Sequence, residues 1–138
     1  MPGIDESLLD VMRLPGARGA LVADWVSGLA LGVVGEAPGG DAEAAAAETA
    51  ELARLAMESG TLAPAGGAAA AGTGPASGGE GAVQDLILTT ADAYHLLRFV
   101  VTGFDSTVFL YLWLDRADGN LALARIRLAG TADRLVLG

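Results

Sequence analysis

Residues 107–114 read Thr-Val-Phe-Leu-Tyr-Leu-Trp-Leu and alternate between two apolar sets. In an extended strand Val108, Leu110, Leu112 and Leu114 point one way, and Phe109, Tyr111 and Trp113 point the other. A strand that is apolar on both faces needs cover on both sides. The preceding run, Ala93 to Val101, agrees: Leu96 and Val100 alternate with Leu97, Phe99 and Val101. The simplest solution is an antiparallel sheet with helices on each face.

The remaining segments supply those layers. Ile4, Leu8, Val11 and Met12 share one helical face opposite Glu6, Asp10 and Arg13, and Pro15-Gly16 stops this first helix. Ala17–Asp24 and Leu29–Val34 read as strands around a four-residue hairpin loop, Trp25-Val26-Ser27-Gly28. Pro38-Gly39-Gly40 breaks the chain, and Asp41 is placed to cap a helix reaching Ser59. On that helix Ala45, Thr49, Ala50, Leu52, Ala53, Ala56 and Met57 form a broad apolar arc. Glu43, Glu48, Glu51, Arg54 and Glu58 lie opposite, with Arg54 and Glu58 at i,i+4 spacing. Leu55 sits among the acids, either as an ordinary exposed leucine or as a contact across a dimer.

From Gly60 to Ala82 the chain is Gly, Ala and Pro at 18 of 23 positions, and a flexible loop is expected. Val83–Thr90, Ala93–Val101 and Thr107–Leu114 then read as a three-strand meander, with turns at Ala91-Asp92 and Thr102–Ser106. Asp118–Leu137 closes the chain as a helix striped by Leu121, Ala124, Leu128, Ala132 and Leu135, with Asp118 placed as its cap. The Leu121–Leu128 part also alternates as a strand would, and helix propensity decides between them. The expectation is one α/β (α+β) domain over 1–138, ordered αββαβββα. The middle helix covers one face of a five-stranded sheet and the terminal helices cover the other.

Composition excludes several functions. Without Cys there are no disulfides, thiol nucleophiles or iron–sulfur clusters, and without Lys no Schiff base or phosphate-loop lysine. All eight basic residues are Arg, which together with the abundance of Ala and Gly fits the codon bias of a GC-rich genome. A net charge of −9 argues against nucleic acid and anionic membranes as partners. Residues 1–60 carry ten acids against three Arg, either as a solvated surface or as a face for a basic partner. No apolar run is fit to span a bilayer and no secretory signal is legible, so a cytoplasmic location is the default expectation.

No catalytic constellation is expected. His95, the single histidine, falls mid-strand, where a core or cross-strand role is more usual than a base or ligand. Ser106 lies in a turn with no evident triad. Asp115–Asn120 is not a calcium loop, because Ala117 and Gly119 occupy positions that need oxygen donors. Gly72-Thr73-Gly74-Pro75 is not followed by a helix and does not fit a phosphate loop. The expectation is a non-enzyme without cofactor or metal.

The start of the chain resembles the roadblock/dynein light-chain family. The resemblance is carried by an N-terminal helix, then Leu14-Pro15-Gly16-Ala17-Arg18-Gly19-Ala20-Leu21-Val22-Ala23-Asp24, a turn ending in Gly28 and Leu29-Ala30-Leu31. The Ala-rich middle helix, the meander and the closing helix match in order, and the 60–82 loop departs from the pattern. The resemblance implies a roadblock/profilin-like three-layer sandwich that homodimerises through the middle helix and third strand. It places Glu48, Leu52, Leu55, Ala56, Ser59, Val83, Asp85 and Ile87 at the dimer face. It also implies a scaffold for a small Ras-like GTPase or a signalling protein, with Arg116 and Arg125 as candidate partner contacts. The competing expectation is a small-molecule sensor that binds its ligand among Trp25, Tyr111 and Trp113.

Overall fold

The two-sided strand lies at the middle of the sheet. In the computed structural model, which describes residues 3–62, 83–100 and 107–135, the chain runs α1 (Ile4–Val11), β1 (Ala17–Asp24), β2 (Ala30–Gly35), α2 (Ala42–Glu58), β3 (Asp85–Thr89), β4 (Ala93–Phe99), β5 (Val108–Asp115) and α3 (Leu121–Arg134). Single turns of 3-10 helix at Pro38–Gly40 and Gly60–Leu62 flank α2. The strands form one sheet in the order β2-β1-β5-β4-β3, and all four pairings are antiparallel. The sequence-predicted turn at 102–106, with Ser106, lies outside the described residues, as does nearly all of the 60–82 loop, including Gly72–Pro75.

Two cores form, one on each face of the sheet. On one face Ala20, Val22, Leu96, Leu110, Leu112 and Leu114 pack against Leu8 and Val11 of α1 and against Ala124, Leu128 and Ala132 of α3. On the other, Leu21, Ala23, Leu97, Phe99, Phe109 and Tyr111 meet Ala45, Ala46, Ala50, Ala53 and Ala56 of α2. Each buried alanine contributes only about one methyl group of transfer energy, ~0.8 kcal/mol. In return the α2 axis can approach the sheet closely, and the aromatic bulk is supplied by β5.

Several local expectations need correction. Leu52 lies at the margin of the buried arc of α2 and is 38% exposed, whereas Ala46 is fully buried. The residues of α2 that face the sheet are Ala45, Ala46, Ala50, Ala53 and Ala56, so the arc shifts toward Ala46. Arg54 bonds away from its own helix: its Nε and Nη2 donate to the Trp25 carbonyl at 3.3 and 3.2 Å. The cap of α3 is Asn120, whose Oδ1 accepts from the Leu123 N–H at 3.0 Å. Asp118 instead lies in the preceding turn, where its N–H donates to Asp115 Oδ2 at 2.9 Å. Strand β2 begins at Ala30, because Leu29 closes the hairpin loop by accepting from the Asp24 N–H. Strand β3 is confined to Asp85–Thr89.

Candidate interaction surfaces

Asp41 caps α2 by accepting from the Ala44 N–H at 3.1 Å, and the five buried alanines fix its rotation over the sheet. That rotation turns Leu55 outward at 70% exposure, with Leu52 at 38%. Glu48, Glu51 and Glu58, at −7, −4 and +3 from Leu55, share its side of the helix and are exposed. Ala56 is nearly buried in the core beneath, and Ser59 is half-exposed at the helix end.

Among the described residues strand β3 lies at the sheet edge, hydrogen-bonded to β4 alone, and no described strand pairs with its outer backbone groups. Asp85 is held by Arg125 Nε at 2.8 Å and lies 4.0 Å from Arg98 Nη1. Val83 packs beside the α2-side core, whereas Ile87 points to the opposite face against the α1–α3 core. The exposed apolar residue of β3 is Leu88, at 46%. It pairs with His95 and shares the pleat of Leu86, which belongs to the α2-side core. Leu88 was missed by sequence reasoning, although the pleat alternation would have revealed it once the strand's inward face was known. Of the predicted interface residues on α2, Glu48, Leu52 and Leu55 are exposed while Ala56 is buried in the core, and Ile87 of β3 faces the opposite side of the sheet.

The two candidate partner arginines both have partners within the chain. Arg125 is bound to Asp85, while Arg116 Nη1 donates to the Thr90 carbonyl at 3.1 Å. The aromatic group of the sensor expectation is also engaged internally. Tyr111 is buried with its hydroxyl 2.6 Å from His95 Nδ1, and burial raises its pKa well above the ordinary phenol value. Burial lowers the His95 pKa, partly opposed by the carboxylate of Asp92. Trp113 is covered by the Arg18 guanidinium, 3.8 Å from the ring centroid. Trp25 packs against the same core, and its buried indole N–H meets no acceptor among the described residues. Also among the described residues, no group of three or more His, Cys, Asp or Glu is placed to hold a metal ion. No described helix is long and apolar enough to cross a membrane.

Several solved structures superpose on nearly the whole chain. Myxococcus xanthus MglB matches 94% of this chain and 82% of its own length at 18% identity, with a TM-score of 0.67. A structure described as MglB with a tetrameric arrangement matches 94% and 82% at 20% identity, with a TM-score of 0.66. The Roadblock/LC7 domain from Streptomyces avermitilis matches 95% and 92% at 18% identity, with a TM-score of 0.59. The fold is that of a roadblock domain. No protein-family model and no curated protein matches the sequence. The roadblock fold is therefore carried here by layer order and sheet topology at low sequence identity.

Proposed function

We propose that this chain is a non-enzymatic, homodimeric scaffold or regulatory module that binds a small Ras-like GTPase or an associated signalling protein. The observation that carries this reading is the outward leucine stripe on α2, Leu52 and Leu55; the edge position of β3, with its exposed Leu88, is a second, separate feature. Exposed apolar side chains and a strand edge with no neighbour among the described residues are each suited to association with a second chain. The roadblock fold supports the same reading, as does the description of one similar structure as a tetrameric arrangement.

Analytical ultracentrifugation tests the dimer. The expected mass is twice that of one chain at micromolar concentration, and Leu55→Asp should give a folded monomer. Higher ionic strength should tighten the dimer, because Glu48, Glu51 and Glu58 would face like charges across a symmetric α2 contact. A strictly monomeric mass at high micromolar concentration would sink the reading. The partner is tested by titrating the dimer with small GTPases loaded with GDP or a non-hydrolysable GTP analogue.

A further inference from the structure

All eight basic side chains are arginines, in a chain of net charge −9. Five have partners within the molecule. Arg18 lies over Trp113, Arg54 holds the Trp25 carbonyl, Arg98 and Arg125 flank Asp85, and Arg116 holds the Thr90 carbonyl. The other three, Arg13, Arg127 and Arg134, have no ion-pair or hydrogen-bond partner among the described residues. All three line a single open groove of about 640 Å³ between α1 and α3, together with Asp10, Ile126 and Gly130.

The groove has an apolar component as well. Ile126 is 71% exposed, making it one of the most exposed large apolar side chains described. A second concavity adjoins at Asp10 and Arg13 and brings in Glu6 and Leu9, the latter 57% exposed, so the acids of this face lie on the α1 side. Gly130 lies in the groove lining between Arg127 and Arg134. A Cβ there would lie 3.3 Å from Arg134 Nη1, so the missing side chain lets that guanidinium fold back along its own helix. Glycine inside a helix is otherwise disfavoured relative to alanine.

We propose that the α1–α3 groove docks an acidic, amphipathic segment of a protein partner. Its carboxylates would engage the forks of Arg13, Arg127 and Arg134, and its apolar side chains would cover Ile126 and Leu9. Charge complementarity selects this occupant: guanidiniums with no partner among the described residues are suited to bind carboxylates in bidentate fashion, and three Arg against one Asp in the groove favour acidic segments over basic ones. A nucleic-acid duplex or anionic membrane requires a broader basic footprint. A free phosphate would leave the apolar part of the groove in water. The groove lies on the opposite face of the sheet from α2, so the inference stands whether or not the chain dimerises.

Fluorescence anisotropy of the full chain with a labelled amphipathic helix of Glu and Leu tests the proposal. Binding should be saturable and should weaken as salt rises. The double variant Arg127→Ala/Arg134→Ala should weaken it about tenfold or more, while Arg116→Ala outside the groove stays within about twofold. Ile126→Glu is an independent exposed-site variant and should also weaken it about tenfold. Equal losses from Arg116→Ala and from the double variant would overturn the proposal. So would equal affinity for a same-charge helix with Ser in place of Leu, which indicates a general anion surface, or full displacement by millimolar inorganic phosphate. If the double variant lowers the mass of the chain without peptide, the occupant is a second copy and the partner reading falls.

Discussion

Gly16 and Gly19 give the motif at the entry to β1 its physical meaning. Gly16 has φ +83°, a left-handed conformation, and a Cβ there would lie 2.7 Å from the Gly119 backbone nitrogen. At Gly19 a Cβ would overlap the Glu36 carbonyl oxygen, because the end of β2 presses on β1. Gly19→Ala should therefore cost about 2 kcal/mol or more, read as a lowered denaturant midpoint, since the obstacle is backbone and cannot turn aside. The spacing of the two glycines was legible in the sequence. The surface Gly16 touches was not, because Gly119 lies far along the chain, and the Gly19 contact needs the register of the β1–β2 hairpin. His95 shows the same limit: a cross-strand role was readable, but its partner Tyr111 depends on the register of β4 against β5. Burial holds the folded His95 below its ordinary pKa of 6.5, so the unfolded chain takes the proton more readily. This contribution to stability is intact above pH 6.5 and is lost as pH falls through the lowered folded value. His95→Gln, which keeps an acceptor for the Tyr111 hydroxyl, should flatten the part of the pH-dependence of chemical denaturation that lies below pH 6.5.

At the scale of elements, helix ends and helix rotation separate what was readable from what was not. The extent of α2 follows from Asp41 and an unbroken run of good helix formers, and the structure returns it as Ala42–Glu58. For α3, Asp118 and Asn120 are both competent caps two residues apart, and propensity alone does not choose between them. The choice is made by Asp115, whose carboxylate accepts the Asp118 N–H and holds that residue in the turn. Asn120→Ala should cost about 1 kcal/mol in thermal or chemical unfolding, while Asp118→Ala stays within about 0.5 kcal/mol. The margin of the α2 arc was misplaced for a related reason. Hydropathy ranks Leu52 above Ala46, but the residues of α2 buried against the sheet are alanines. The arginine groove was equally hard to foresee. Arg127 and Arg134 are seven apart and share a helix face, yet only the packing of α1 beside α3 adds Arg13 to them.

At the scale of the whole molecule, the two-sided apolar pattern of β5 was the most reliable guide, because very few positions in such a fold tolerate it. The strand is paired with β1 on one side and β4 on the other, and it is covered by α1 and α3 above and by α2 below. What the sequence left open was which strands form the edges, since β2 and β3 carry nearly the same residue types as the interior. Edge position depends on pairing partners brought together from distant parts of the chain. The burial of β5 has a kinetic counterpart. Its amide hydrogens can reach water only when both cores and both neighbouring strands open together, whereas those on the outer edge of β3 need only a local fluctuation. In deuterium-exchange mass spectrometry, peptides from 108–114 should be the last to gain mass, at a rate set by global unfolding, and those from 85–89 should be among the first of the strands. Slow exchange of 85–89 that quickens on dilution would mark the protection gained when a second chain closes that edge.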